Sequence, residues 1–435
     1  MNVSTARGAP FARKIGAVAW SPAVQLCLFA LIAAFVVASR WPDVVLHANF
    51  WGEDGWYWYP DARALGWAAL LKPWTGYLQT VSRLVALAAQ PFPLAWAPTI
   101  FAAAAISIQV GAATYLVSDR MSAASPSQPA RVLFALIYLL LPDSAEVYAN
   151  LTNVQWHLAF FAFLVLASTP AQGWRGAALD AAVLLLSGLS GPFSLFLAPV
   201  AVLRAWHDRN RTTFWRAAVV LGCCVVQVGF LAASDRAPAS ASMLGARPGR
   251  LVAILATRVV LSALVGRHGT LGVLGLWMWR SHLLPVLATG GGLALTVLAC
   301  VRGSSLVRWG LLAAGLSLAA ALISPVPLTG WAKPWVMLTN PDHCARYFVL
   351  PMLAWVGVLF TLAADRNLML RGGAICLLGL LLIELPGDWH LPPISATHAR
   401  TDFVARATAF AAAPSGTRME FPVNPPGARP MVLVK

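Results

Sequence analysis

Residues 22–39 read PAVQLCLFALIAAFVVAS, an uncharged apolar run close to the ~20 residues with which a helix spans a bilayer. Arg7, Arg13 and Lys14 precede it, which suits a first membrane span or a signal peptide. Further apolar runs follow at 94–117, 131–142, 155–170, 177–189, 192–203, 216–234, 282–301, 309–325, 346–364 and 372–385. With so many later spans nothing requires removal of the first, and the expectation is an all-α polytopic membrane protein with about 11 transmembrane helices. The rest of the chain agrees. Its 435 residues are 59% hydrophobic and 11% charged, against roughly 25% charged in soluble domains. Soluble enzymes, secreted disulfide scaffolds and nucleic-acid binders are excluded, because each needs a solvated exterior or a basic patch facing water.

Several of these runs are short, and 177–203 could be one helix. Ser187-Gly188-Leu189-Ser190-Gly191-Pro192 in its middle lowers helix propensity and removes a backbone donor, which favours two segments meeting at a corner. Irregular backbone at that depth requires protein or a cavity around it. Loop charge sets the orientation. Segments 1–19, 118–131, 171–176, 204–216, 302–308 and 365–371 hold 14 Lys and Arg against three acids, Asp119, Asp208 and Asp365. By the positive-inside rule these lie in the cytoplasm. That places the amino terminus inside and the carboxyl terminus, from about Leu385, outside the inner membrane.

Five of the six cysteines fall within these spans, leaving Cys344 without an obvious partner, so no structural disulfide is expected. The chain shows no internal repeat, no metal-ligand spacing and no phosphate-cradling loop. Candidate chemistry is confined to four outer polar segments.

The first, Asn49 to Asp61, sets Glu53 and Asp54 among Trp51, Trp56, Tyr57, Trp58 and Tyr59. On a helix Asp54 and Asp61 share a face, while Glu53 is rotated about 100° away. An interfacial aromatic belt with its acids in water is the plain reading; an acid pair beside sugar-sized rings can also supply a general base and a substrate anchor. The second, Gly66 to Arg83, mixes Leu, Trp and Tyr with Lys72 and Arg83, as an interfacial helix near lipid phosphates would, although snorkelling gives the same pattern. The third holds Asp143, Glu146, Asn150, Asn153, Gln155 and His157; an extended entry would point Asn153, Gln155 and His157 the same way, for substrate hydrogen bonds. The fourth runs from Lys333-Pro334-Trp335 to Asn340-Pro341-Asp342-His343-Cys344-Ala345-Arg346-Tyr347. There Arg346 could bind a phosphate through two parallel hydrogen bonds, or simply anchor a helix end.

The acidic pair after span one, the aromatic interfacial stretch behind it and the basic residues of late outer loops together resemble the polytopic GT-C glycosyltransferases. The strings Glu53-Asp54-Gly55, Pro73-Trp74-Thr75-Gly76-Tyr77-Leu78, Asn153-Val154-Gln155-Trp156, Gly188-Leu189-Ser190-Gly191-Pro192-Phe193, Arg346-Tyr347-Phe348 and Asn424-Pro425-Pro426-Gly427 look like those of uncharacterised bacterial members. The likeness covers most of the chain. Members often carry aspartate before glutamate; here Glu53 comes first, so either acid is a candidate base. The resemblance implies a transmembrane glycosyltransferase-like domain over 1–385, with the first external loop 41–93 carrying the acids, and an extracytoplasmic tail over 386–435 acting as a small cap. It implies a polyprenyl-phosphate sugar as donor, a glycan, lipid or protein of the cell envelope as acceptor, and no nucleic-acid partner. Glu53 and Asp54 would be catalytic, with Asp61, Arg83, Asn153, Gln155, His157, Lys333, Arg346 and Tyr347 binding substrate. No cofactor is required, although some members use a divalent metal. The alternative is a transporter or flippase for a lipid-linked glycan or small solute, with acids near the midplane; of the acids, Asp180 falls inside an expected span and Glu384 at the edge of the last one.

Overall fold

The computed structural model describes residues 21–235, 239–326, 332–341, 343–389, 398–425 and 428–435. Arg7, Arg13, Lys14, Asp342, Pro426 and Gly427 of the sequence reading lie outside them. The chain is a helical bundle: α1 (Pro22–Arg40), α2 (Thr80–Ala89), α3 (Ala97–Val117), α4 (Gln128–Leu139), α5 (Val154–Ala167), α6 (Trp174–Gly188), α7 (Phe193–Asp208) and α8 (Arg211–Ala232). There follow α9 (Pro248–Ile254), α10 (Ser262–Leu274), α11 (Leu283–Arg302), α12 (Ser305–Ile323), α13 (Val349–Ala363), α14 (Leu368–Trp389) and α15 (His398–Ala412). A hairpin of β1 (Arg418–Phe421) and β2 (Met431–Val434), paired antiparallel, ends the chain.

Each expected run is a helix. By length and composition eight helical stretches among the described residues can cross a membrane, so this is a multi-pass membrane protein. Helices α4 and α5, with 12 and 14 residues, are too short to cross alone at 1.5 Å per residue. One of the eight, Pro248–Leu274, is not among the apolar runs picked out in the sequence. It comprises α9, a π-helical turn over Leu255–Leu261 and α10, kinked at Gly266. Its charge explains the misreading. Arg258 is fully buried, with Nη1 3.1 Å from Asp143 Oδ2 and donating to the Asn340 carbonyl at 2.9 Å. Further on, Asp388 accepts from the Arg267 and Asp143 backbone amides. Asp143 is thus tied to both parts of the run, directly through Arg258 and by way of Asp388 at Arg267.

The corner between α6 and α7 exists as two segments. Helix α6 stops at Gly188 and α7 begins at Phe193, with Gly191 at φ +85°. Its backbone is satisfied by protein. The Gly191 amide donates to the Leu78 carbonyl, Thr80 N to Leu189 O and Val81 N to Ser190 Oγ. The buried Gln227 of α8 accepts from Leu78 N at 2.9 Å and donates toward the Gly188 and Gly191 carbonyls. This is how non-helical backbone is kept in an apolar surround.

At the opposite end Asp180 is buried between Arg120 (2.8 Å) and Arg216 (2.5 Å), a staple of α6, α8 and the loop after α3. At the Glu53 end Arg40, the last residue of α1, donates to Tyr148 Oη at 2.7 Å and to the Leu141 carbonyl at 2.9 Å. That bond ties α1 to the segment bearing Glu146.

Candidate active site

Three stretches meet at one cavity of about 400 Å³. The first leaves α1 through Phe50 and Gly52, whose backbone pairs with Asn424 of the tail (Asn424 N to Phe50 O, 2.8 Å; Gly52 N to Asn424 O, 2.7 Å). Glu53 then opens a π-helical turn, Asp54–Trp58, a form that recurs at functional sites. The second is the 3₁₀ turn Ala145–Val147 and the start of α5. The third is the 3₁₀ turn Ala345–Phe348, entered from Cys344 at φ +57°. Ala149, behind the second turn, has φ +51°. Left-handed non-glycine residues cost about 1–2 kcal/mol each, which the packing around both turns must supply.

Glu53, Glu146 and Arg346 are the charged residues lining the cavity. Arg346 Nη1 bonds Glu146 Oε1, and the Arg346 amide donates to Glu146 Oε2 at 3.1 Å. Both groups of the pair are thus held by two contacts. Burial raises the Glu53 carboxyl above its ordinary 4.5; its own backbone amide and Arg346 pull the other way, and Glu146 adds to the rise. A carboxylate lifted toward neutrality is a stronger base than one in water.

Asp54 does not line the cavity. It is 2% exposed and turned inward, with Oδ2 accepting from Leu151 N at 3.3 Å and Oδ1 2.8 Å from Thr152 Oγ1. Burial is the main cause that pushes it up to about 8. A neutral carboxyl fits the geometry, since it can donate to Thr152 Oγ1 while Thr152 donates to the Trp51 carbonyl at 2.9 Å. The two adjacent acids therefore differ: Glu53 faces the cavity, and Asp54 fastens the turn to the 151–152 backbone.

The walls are aromatic. Trp51, Trp58, Trp74, Tyr77, Trp156, Phe193 and Phe196 line the cavity, and Tyr57 stacks behind Trp74 at 3.8 Å between ring centres. Four polar atoms of lining residues are buried without a partner: Trp58 Nε1, Gln79 Oε1, Gln155 Oε1 and Ser317 Oγ. These atoms sit behind the cavity surface rather than on it, and a buried polar atom left unpaired costs about 1–3 kcal/mol. From Phe196, Leu231, Ala320 and Ile323 the wall becomes apolar where α7, α8 and α12 pass.

Of the sequence candidates, Glu53, Asn153, Gln155, Arg346 and Tyr347 meet at the cavity. Asp61, Arg83, His157 and Lys333 do not line it. Asp61 is shared by Lys72 (2.7 Å) and Arg83 (3.0 Å), and the Arg83 guanidinium lies over Trp58 at 5.0 Å, so it buttresses the wall from outside. Lys333 donates to the Ser242 carbonyl. Asn153, Gln155 and His157 do not point together, because α5 starts at Val154 and helical spacing turns residues 155 and 157 to different faces. His157 is sealed among Tyr138, Gln109 and the Val147 carbonyl. The described part of the tail pairs with the acidic loop through Asn424, and none of its described residues lines the cavity. Sequence reading missed Thr152 and Gln79, which lie within the outer polar segments but carry no charge, and Ser317, which joins the cavity only through packing of α12.

Among the described residues no three His, Cys, Asp or Glu side chains converge as metal ligands would. No family model matches the chain, and neither the curated proteins nor the solved structures hold a detectable relative.

Proposed function

We propose that the protein transfers a sugar from a lipid-linked phosphate donor to an acceptor hydroxyl, with Glu53 as general base. The observation that carries this reading is the composition of one cavity: a half-buried Glu53 carboxylate, the Arg346 guanidinium, the amides of Asn153 and Gln155, aromatic walls and an apolar stretch of wall from α7, α8 and α12. Sugar rings stack on aromatic faces and hydrogen-bond through hydroxyls. In the reaction Glu53 takes the acceptor proton as its oxygen bonds the anomeric carbon. The bond from that carbon to the phosphate breaks, and the oxygen leaves with the electron pair beside Arg346. Expected placement of this end outside the cytoplasm, where nucleotide sugars are absent, makes a polyprenyl-phosphate sugar the donor class. This agrees with the resemblance of the sequence to GT-C glycosyltransferases and with an inner-membrane enzyme acting on a cell-envelope acceptor.

The transporter reading loses its best residue. Asp180, the acid inside the bundle, is clamped between two arginines and has no freedom to carry an ion. Purified protein in detergent, given a polyprenyl-phosphate sugar and an acceptor, should make product. Glu53→Gln should lose at least ~10²-fold in turnover, the usual contribution of a general base. Gradient-driven uptake into vesicles, with no transfer in detergent across a panel of lipid donors, would establish the transporter instead.

A further inference from the structure

A second and larger cavity, about 800 Å³, lies at the opposite end of the bundle between α3, α4, α5, α12 and α13. Its interior is apolar, walled by Phe134, Phe160, Phe163, Leu350, Leu353 and Phe360. Its mouth is basic: Arg131, Arg302 and Arg366 line it against one acid, Asp365. Asp365 is already engaged, bonding Arg302 at 3.0 Å, and Arg366 is exposed at the rim. Arg131 is buried and spends its terminal nitrogens on the Ser125, Pro126 and Val117 carbonyls, while its Nε has no partner. This is the end whose loop charge reads as cytoplasmic. The cavity is at the upper end of the ~300–1,000 Å³ range of ligand sites, with a long apolar shaft and a cationic collar.

We propose that this cavity seats one anionic glycerophospholipid of the cytoplasmic leaflet, with acyl chain against Phe134, Phe160 and Phe163 and phosphate at Arg302 and Arg366. Headgroup charge selects the occupant, because a basic cluster at the membrane surface favours anionic over zwitterionic lipid. The site is independent of the Glu53 cavity. It is separated from it along α7 and α12, where Leu197 and Ala314 line this cavity and Phe196 and Ser317 the other.

Full-length protein in detergent, incubated with equimolar phosphatidylglycerol and phosphatidylcholine, should retain one phosphatidylglycerol by native mass spectrometry. The preference should be about tenfold or more, the scale expected of two surface arginines. Arg302→Gln with Arg366→Gln should abolish that preference. Gly310→Phe places a ring in the shaft beside Phe163, whose ring is 3.4 Å from a Cβ built at Gly310, and should prevent retention of either lipid while Glu53→Gln leaves it intact. A melting temperature measured on each variant confirms that it is folded, and Arg366→Gln alone, at an exposed unpaired residue, should already weaken the preference. Equal retention of both lipids by the wild-type protein, an unchanged preference in the folded double variant, or competitive displacement of the lipid by polyprenyl phosphate would overturn the proposal.

Discussion

Glu53 and Asp54 are neighbours in the chain whose carboxyls meet different surroundings, and the difference is measurable. Asp54 is buried on Leu151 and Thr152 and pushed up to about 8 from an ordinary 3.8. A folded-state value above the unfolded one means that folding favours the protonated form. The stability it contributes is fully present below about pH 3.8 and is lost as pH rises through about 8. Asp54→Asn cannot ionise, so its melting temperature in detergent should lack the decline seen for the wild-type protein over that window; identical pH profiles would contradict a buried neutral Asp54. Glu53 is raised by burial above its ordinary 4.5. The acid limb of kcat/KM for transfer should therefore lie above the ordinary carboxylate range, with activity gained as Glu53 loses its proton. That Glu53, Arg346 and Gln155 would gather at one cavity was legible, because charged and amide groups at span ends are costly without a purpose. That Arg83 and His157 would lie outside it was not, since a buried ion pair or a hydrogen-bonded imidazole looks in sequence like a binding group.

At the scale of elements, the acidic turn is held from behind by the tail. A Cβ built on Gly55 would sit 2.7 Å from Val423 Cγ2 and 3.1 Å from Phe50 Cβ. Gly55→Ala should destabilise by about 1–3 kcal/mol, the usual cost of overpacking. Adding Val423→Ala should recover part of it, read as melting temperature; no recovery would mean that the tail does not bear on the turn. The α6–α7 corner rests similarly on Gln227. Gln227→Met removes an acceptor from Leu78 N and donors from two carbonyls, each worth about 1–3 kcal/mol when left unmet in the interior, and should lower the melting temperature more than Gln79→Met at the cavity wall. The corner was legible because Gly and Pro interrupt an apolar run. The kinked α9–α10 segment was not, because Arg258 and Arg267 interrupt the apolar run, and Asp143, the acid that covers Arg258, lies more than a hundred residues away in the chain.

At the scale of the whole molecule, hydropathy carried the reading furthest, since it depends on composition alone. Length did not, for α4 to α7 are each shorter than a full span. Orientation is open to direct test. In a background without native cysteines, Ser240→Cys should react with a membrane-impermeant thiol reagent in intact cells and Ser125→Cys should not. The reverse pattern would put the Glu53 cavity in the cytoplasm and remove the argument for a lipid-linked donor. The central claim, that the Glu53 cavity holds such a donor, is tested most directly by a density map of the protein bound to a polyprenyl-phosphate sugar. The sugar should lie between Trp58, Trp74 and Trp156 with the phosphate at Arg346 and the isoprenoid leaving past Leu231 and Ile323. A donor found elsewhere, with the Glu53 cavity empty, would contradict it.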